Sequence, residues 1–317
     1  MWRAFAGGVA FAIALGGQVA LADGPLGAQK NAVTNVTPWL DVEFYAGYLT
    51  GRSREIVYDP ASGQRISQLN WDIKSAGVFG GNVAIKPSDW SRIRFGGWIP
   101  LVSNNHMEDY DWLIAPFVTP SHVSVHPDTR LVSAYQLDAQ LGLRIINGGG
   151  AAVYAVGGYR QLHYGWTAHG GTYAYPPPIG SGTIPPGLSV ISYKQWFQTP
   201  YLGFSGEWKA GSWWMNGEVV GSLWSTSRDR DDHILRQTLF EEKATGVKVI
   251  VATASLGYDF TPALSAFGRV EYQRHFEGKG ATDIYVYGTG DRFHIPGDAA
   301  GLDNYSLVVA FGVKGKL

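Results

Sequence analysis

The chain has 317 residues, with 25 Lys and Arg against 26 Asp and Glu, a net charge of −1 that implies no nucleic acid or other polyanionic partner. Aromatic residues reach 14%, with 12 Trp, and Gly reaches 42 residues. That balance suits many strands, tight turns and an interface that takes aromatic rings, not a soluble helical enzyme. Cysteine is absent, which excludes a disulfide framework, a thiol nucleophile and a thiolate-rich zinc site.

Residues 1–22 read as a cleaved signal peptide. Arg3 supplies the positive start, an apolar run extends from about Phe5 to Leu15, and Ala20-Leu21-Ala22 is a small-x-small cleavage site before Asp23. The apolar run is too short and too Gly-rich for an anchor helix. Residues 23–317 are then expected to form a single domain. No later segment approaches the roughly eighteen apolar residues of a spanning helix. A membrane location would therefore require a closed barrel, in which every backbone N–H and C=O is paired without water.

Period-two alternation recurs along this domain. Leu40, Val42, Phe44, Ala46 and Tyr48 alternate with Asp41, Glu43, Tyr45 and Gly47; Leu137, Ala139, Leu141 and Leu143 alternate with Gln136, Asp138, Gln140 and Gly142. Successive strand side chains point to opposite faces, so each segment has one apolar face. Ten such segments are predicted, near 38–52, 64–86, 90–102, 130–146, 151–168, 190–209, 212–227, 243–260, 264–278 and 304–317. Four connections are short, at 86–89, 147–150, 209–211 and 261–263; five are long, near 50–64, 103–129, 169–190, 228–242 and 279–303. An even strand count with short turns alternating with long connections predicts an all-β, ten-stranded antiparallel transmembrane β-barrel with short periplasmic turns and long extracellular loops. Phe311, Val313, Gly315 and Leu317 hold the period to the last residue. Ten strands leave a lumen that side chains fill, which argues against a porin.

The connections at one rim carry the unusual chemistry. Asp109 and Asp111 are two apart, so in an extended segment they share a face and one pKa should rise. Asp231 and His233 have the same spacing, which lets a carboxylate orient an imidazole as a general base. Glu55 lies at the same rim. Each pair has a plainer reading: a solvated or calcium-binding acidic patch, and a solvent-exposed loop histidine. The second is also the default for His106, His122, His126, His163, His169, His275 and His294. No third ligand accompanies Asp231 and His233 at zinc spacing, so no metal is expected.

Several stretches resemble the omptins, the outer-membrane proteases of Gram-negative bacteria. They are Gly51-Arg52-Ser53-Arg54-Glu55 with Val57-Tyr58, Ser67-Gln68-Leu69-Asn70-Trp71, Met107-Glu108-Asp109-Tyr110-Asp111-Trp112, His126-Pro127-Asp128-Thr129, Thr167-Ala168-His169-Gly170-Gly171, Tyr193-Lys194-Gln195, Pro200-Tyr201 and Asp231-Asp232-His233. The resemblance implies that Asp109 and Asp111 are the family's Asp pair, that Asp231 and His233 are its dyad, and that a water between them is the nucleophile. It further implies that Glu55 and Asp229 line a pocket for Arg or Lys before the scissile bond, with cleavage often between two basic residues. A monomer at the cell surface, acting on peptides or proteins and needing no cofactor, is what the family leads one to expect. Omptins also contact lipopolysaccharide as an activator through basic residues of the outer wall. Here Tyr159 matches, but His163 and Trp196 stand where the family carries Arg, and Gln161 stands at the supporting carboxylate, so weaker or differently arranged phosphate contacts are expected. A non-enzymatic barrel that binds host proteins through its loops is the alternative.

Overall fold

The computed structural model describes residues 39–317; the signal-peptide reading of 1–22 lies outside them. Ten strands follow in order: β1 Leu40–Tyr58, β2 Arg65–Ser88, β3 Ser91–Asp111, β4 His122–Gly148, β5 Ala151–Ala174, β6 Ser181–Ala210, β7 Trp213–His233, β8 Thr238–Asp259, β9 Leu264–Val286 and β10 Arg292–Lys316. Each pairs antiparallel with its sequence neighbours, and β1 pairs with β10, from Asp41↔Lys316 to Val57↔Ala300, to close the barrel. The predicted strand number and order match the structure.

The strand ends differ from the sequence reading. Strands run from 19 to 30 residues, and the five longer connections shrink to residues 59–64, 112–121, 175–180, 234–237 and 287–291. Crossing a bilayer takes about 9–11 residues of tilted strand, so each strand continues well beyond a lipid belt. Near the short turns, Phe44, Phe95, Phe204 and Phe311 point outward and are exposed, as a lipid-facing wall requires. Towards the other rim no lipid has to be matched, both faces turn polar, and the alternation that marks a strand fades. Ser103-Asn104-Asn105-His106 thus reads as loop but is strand β3, and Pro185 and Pro186, within the long connection expected near 169–190, lie on β6.

Side chains fill the lumen. Arg160, 2% exposed, donates to Asp138 at 3.0 Å, Glu271 at 3.3 Å and Gln273 at 3.0 Å, while Arg94 reaches Glu218 at 2.8 Å. Above this layer Trp71 stacks on Tyr193 at 5.0 Å and on Trp166 at 5.8 Å, and all three are fully buried. This aromatic layer is the floor on which the far rim is built.

Removing one partner of a buried charge network strands the others. Arg160→Met is expected to destabilise the barrel by about 3–5 kcal/mol, measured as the equilibrium unfolding midpoint of the refolded protein in detergent micelles.

Candidate active site

Four strands bring acidic and imidazole side chains into the lumen at the rim opposite the short turns. Along β7, Ser225, Ser227, Asp229, Asp231 and His233 occupy alternate positions, and all five are buried. The same alternation turns Asp109 and Asp111 inward from β3 and Glu55 inward from β1. The residues assigned to loops from sequence are therefore held on paired strands, which fixes them better than a free loop does.

Two subsets share this space. In the first, His233 Nε2 lies 2.6 Å from Asp231 Oδ2, so that Nδ1 is the nitrogen not bound to the carboxylate. Burial draws the imidazolium down, but the Asp231 carboxylate more than offsets it, so His233 binds its proton above the usual histidine range. Across from it, burial and then the Asp111 charge push Asp109 up to about 7. The expectation that one of the two carboxyls is raised holds for Asp109. Among the described residues its Oδ1 has no hydrogen-bond partner, and neither has Oδ1 of Asp231.

The second subset comprises Glu55, Asp229 and a residue that sequence reasoning missed, Glu242 on β8. Oxygen atoms of the three lie within 4.8 Å of one another. Asp229 accepts from the Tyr193 hydroxyl at 3.1 Å and from the Glu242 backbone N–H at 3.0 Å; Glu242 accepts from Thr282 at 3.1 Å. Glu55 Oε2 and Glu242 Oε2 have no partner among the described residues. Burial, reinforced by the neighbouring negative charges, holds Glu55 and Asp229 well above the usual carboxylate range and puts Glu242 at about 7. Among the described residues no Lys or Arg forms an ion pair with any of the three. Glu55 does not pair with the neighbouring Arg52 or Arg54: those side chains point outward to Asp72 and Asp303. Oxygen-only donors at this spacing suit a guanidinium or ammonium as well as a hard metal ion.

Glu242 was legible only through the hairpin register. Asp231 pairs with Phe240 and Arg228 with Lys243, so Glu242 faces Asp229 across the ladder. In sequence, Glu241-Glu242 looks like a solvated acidic pair. The histidine default also fails in part: His126, His163 and His275 are buried.

The Omptin family model matches residues 38–317. This chain belongs to the omptin family. It is 31% identical to the plasminogen activator of Yersinia pestis over 90% of this chain and 93% of that protein, and 30% identical to the outer membrane protease OmpP of Escherichia coli K12 over 87% and 89%. The crystal structure of the outer membrane protease OmpT from Escherichia coli superposes with a TM-score of 0.84 at 26% identity, covering 88% of this chain and 96% of that one. The chain is an omptin-type endopeptidase of the outer membrane.

On the outer wall of this omptin, Tyr159 is exposed and His163 is covered. His163 stacks on Trp196 at 4.9 Å, its Nδ1 donates to the Gln195 carbonyl at 3.0 Å, and its Nε2 meets the Ser133 hydroxyl at 2.9 Å. Both ring nitrogens are thus engaged. Gln161 turns to the Tyr135 hydroxyl at 2.9 Å, and the Arg228 guanidinium lies 5.0 Å over the Trp196 ring.

Raised carboxylates link stability to pH. A group whose folded pKa exceeds its unfolded value contributes stability below the unfolded pKa and loses it as pH rises through the folded one. For Glu242 that window runs from 4.5 to about 7. Unfolding free energies measured from pH 4.5 to 8 should therefore fall less steeply in Glu242→Gln than in the wild type; buried histidines, common to both proteins, cancel in the comparison.

Proposed function

We propose that this omptin cleaves peptide bonds after Arg or Lys, with its site facing outside the cell, through water activated by His233. The observation that carries this reading is a set of three buried carboxylates with no counter-ion among the described residues, beside an Asp–His dyad. Such a set is costly to keep charged when empty and becomes favourable when a cation enters. A basic side chain seated on Glu55, Asp229 and Glu242 would hold the following peptide bond between β3 and β7.

The chemistry then follows from the two halves of the rim. A water between Asp109 and His233 attacks the carbonyl carbon and passes its proton to His233 Nδ1. Asp231 accepts from Nε2–H and stabilises the imidazolium. Asp109, protonated in part near pH 7, donates to the developing oxyanion, and Asp111 keeps that proton in place by its charge. The C–N bond breaks, and the imidazolium returns the proton to the leaving amine. No covalent intermediate is needed, and no metal enters the sequence.

Lipopolysaccharide contact, where the family leads one to expect it, is assigned to Tyr159, Lys194 and Arg228. Both cations are exposed; Arg228 lies over the Trp196 ring, and Lys194 precedes Trp196 by two residues on the same face of β6. With both nitrogens engaged, His163 is left out of it.

The decisive measurement is cleavage of short peptides with Arg, Lys or Ala before the bond, with and without lipopolysaccharide. The Arg and Lys peptides should be cut and the Ala peptide should not, and a strong chelator should leave the rate unchanged. His233→Ala should lose about 10²–10⁴-fold or more in kcat with β-sheet content intact. Asp229→Asn should act chiefly on KM. Full activity in His233→Ala would remove His233 as the base. For the wild type, KM for the Arg peptide should rise as pH falls through about 7, because the carboxylates then gain protons and lose the charge that binds the cation.

A further inference from the structure

The rim has two unlike sides. The line from β3 to β7, which carries the reacting groups, leaves β8, β9, β10, β1 and β2 on one side and β4, β5 and β6 on the other. Glu55 and Glu242 come from the first side, and Asp229 from its edge. On the second side lies a cavity of about 230 Å³ that touches both Asp109 and His233. Tyr173, Tyr175, Ile184, Val190, Ile191 and Leu235 wall it. None of the three pocket carboxylates reaches it.

The base of this cavity is neutral. His126 Nδ1 donates to the Gly170 carbonyl at 2.5 Å, and its Nε2 accepts from the Ser124 hydroxyl at 2.9 Å. Burial holds the ring below the usual histidine range, so it carries no charge at neutral pH. Apart from Asp109 and His233, the one permanently charged lining group is Arg236. It sits on the exposed 3-10 turn Ile234–Arg236, close enough for its field to act on both reacting groups.

We infer that this cavity receives the side chain that follows the scissile bond, and that it selects an uncharged aliphatic or aromatic residue there. The inference rests on the reading above, in which the basic side chain occupies the carboxylates. Successive side chains of an extended peptide point to opposite sides. A residue before the bond that points towards β8 and β1 therefore sends the residue after it towards β4–β6. An ammonium or guanidinium placed there would lose water against apolar walls and face Arg236 at like charge. Cleavage between two basic residues, expected from the family resemblance, is thereby narrowed to cleavage between a basic and an apolar one.

The test uses the full-length refolded protein and one peptide sequence with Arg before the bond and Leu, Tyr, Lys, Arg or Asp after it, with products identified by mass. The Leu and Tyr peptides should exceed the Lys and Arg peptides in kcat/KM by about tenfold or more. Arg236→Glu, on an exposed turn, and Ile184→Asp, on the cavity wall, should each shift the Leu-to-Lys ratio towards Lys. A general loss of folded enzyme would not move that ratio. Cutting of the Lys, Arg or Asp peptide as fast as the Leu peptide overturns the inference and leaves the protease reading standing. No cutting of any member removes the parent reading, and the inference with it.

Discussion

Pairing of β1 with β10 is the constraint on which the site depends. It joins Leu40–Tyr58 to the far end of the chain along 17 residue pairs. Without closure, Glu55 would stand on an edge strand, far along the ladder from Asp229 and Glu242. With closure, the lumen faces of β1, β3, β7 and β8 converge on one enclosed rim, where water is scarce and like charges meet. That is why ordinary surface carboxylates become groups with raised pKa values.

Closure also obliges the lumen to satisfy its own polar groups. Near the lipid belt this is done by matched ion pairs around Arg160 and Arg94, whose carboxylate partners lie within about 3 Å. At the rim it is not done: Glu55 Oε2, Asp109 Oδ1, Asp231 Oδ1 and Glu242 Oε2 have no partner. The lower network stabilises the folded barrel. The upper one leaves unmet hydrogen-bonding capacity and unbalanced negative charge where a substrate arrives. The contrast within one lumen separates structural carboxylates from those available for chemistry, and the aromatic layer of Trp71, Trp166 and Tyr193 keeps the two apart.

The rim is also asymmetric. Its β8–β1 side presents buried acids; its β4–β6 side presents rings and aliphatic chains over a neutral His126. On the path proposed above, a peptide crossing the line from β3 to β7 would meet opposite chemistry on either side of the bond placed there. Paired strands hold the cavity walls at Tyr173, Ile184, Val190 and Ile191, while Tyr175 on the 175–180 connection and Leu235 and Arg236 on the short turn complete it.

Local pattern determined the strand number, the antiparallel order and the rim to which Glu55, Asp109, Asp111, Asp231 and His233 belong, because alternation in a lipid-facing strand is a direct imprint of the two solvents it separates. The same imprint fades above the lipid, so the true extent of β3, β4, β6 and β9 was hidden in polar stretches such as Ser103-Asn104-Asn105-His106. The Asp pair and the dyad were visible because each lies within three residues of sequence. Glu242 was not, since its meaning comes from facing Asp229 across a hairpin and Glu55 across a closed ring. Nor was the burial of His126 and His163, which depends on the neighbours that cover each ring. Short-range spacing picked out the candidate reacting groups; only the closed sheet decided their surroundings, because burial and charge coupling depend on distances that sequence separation does not record.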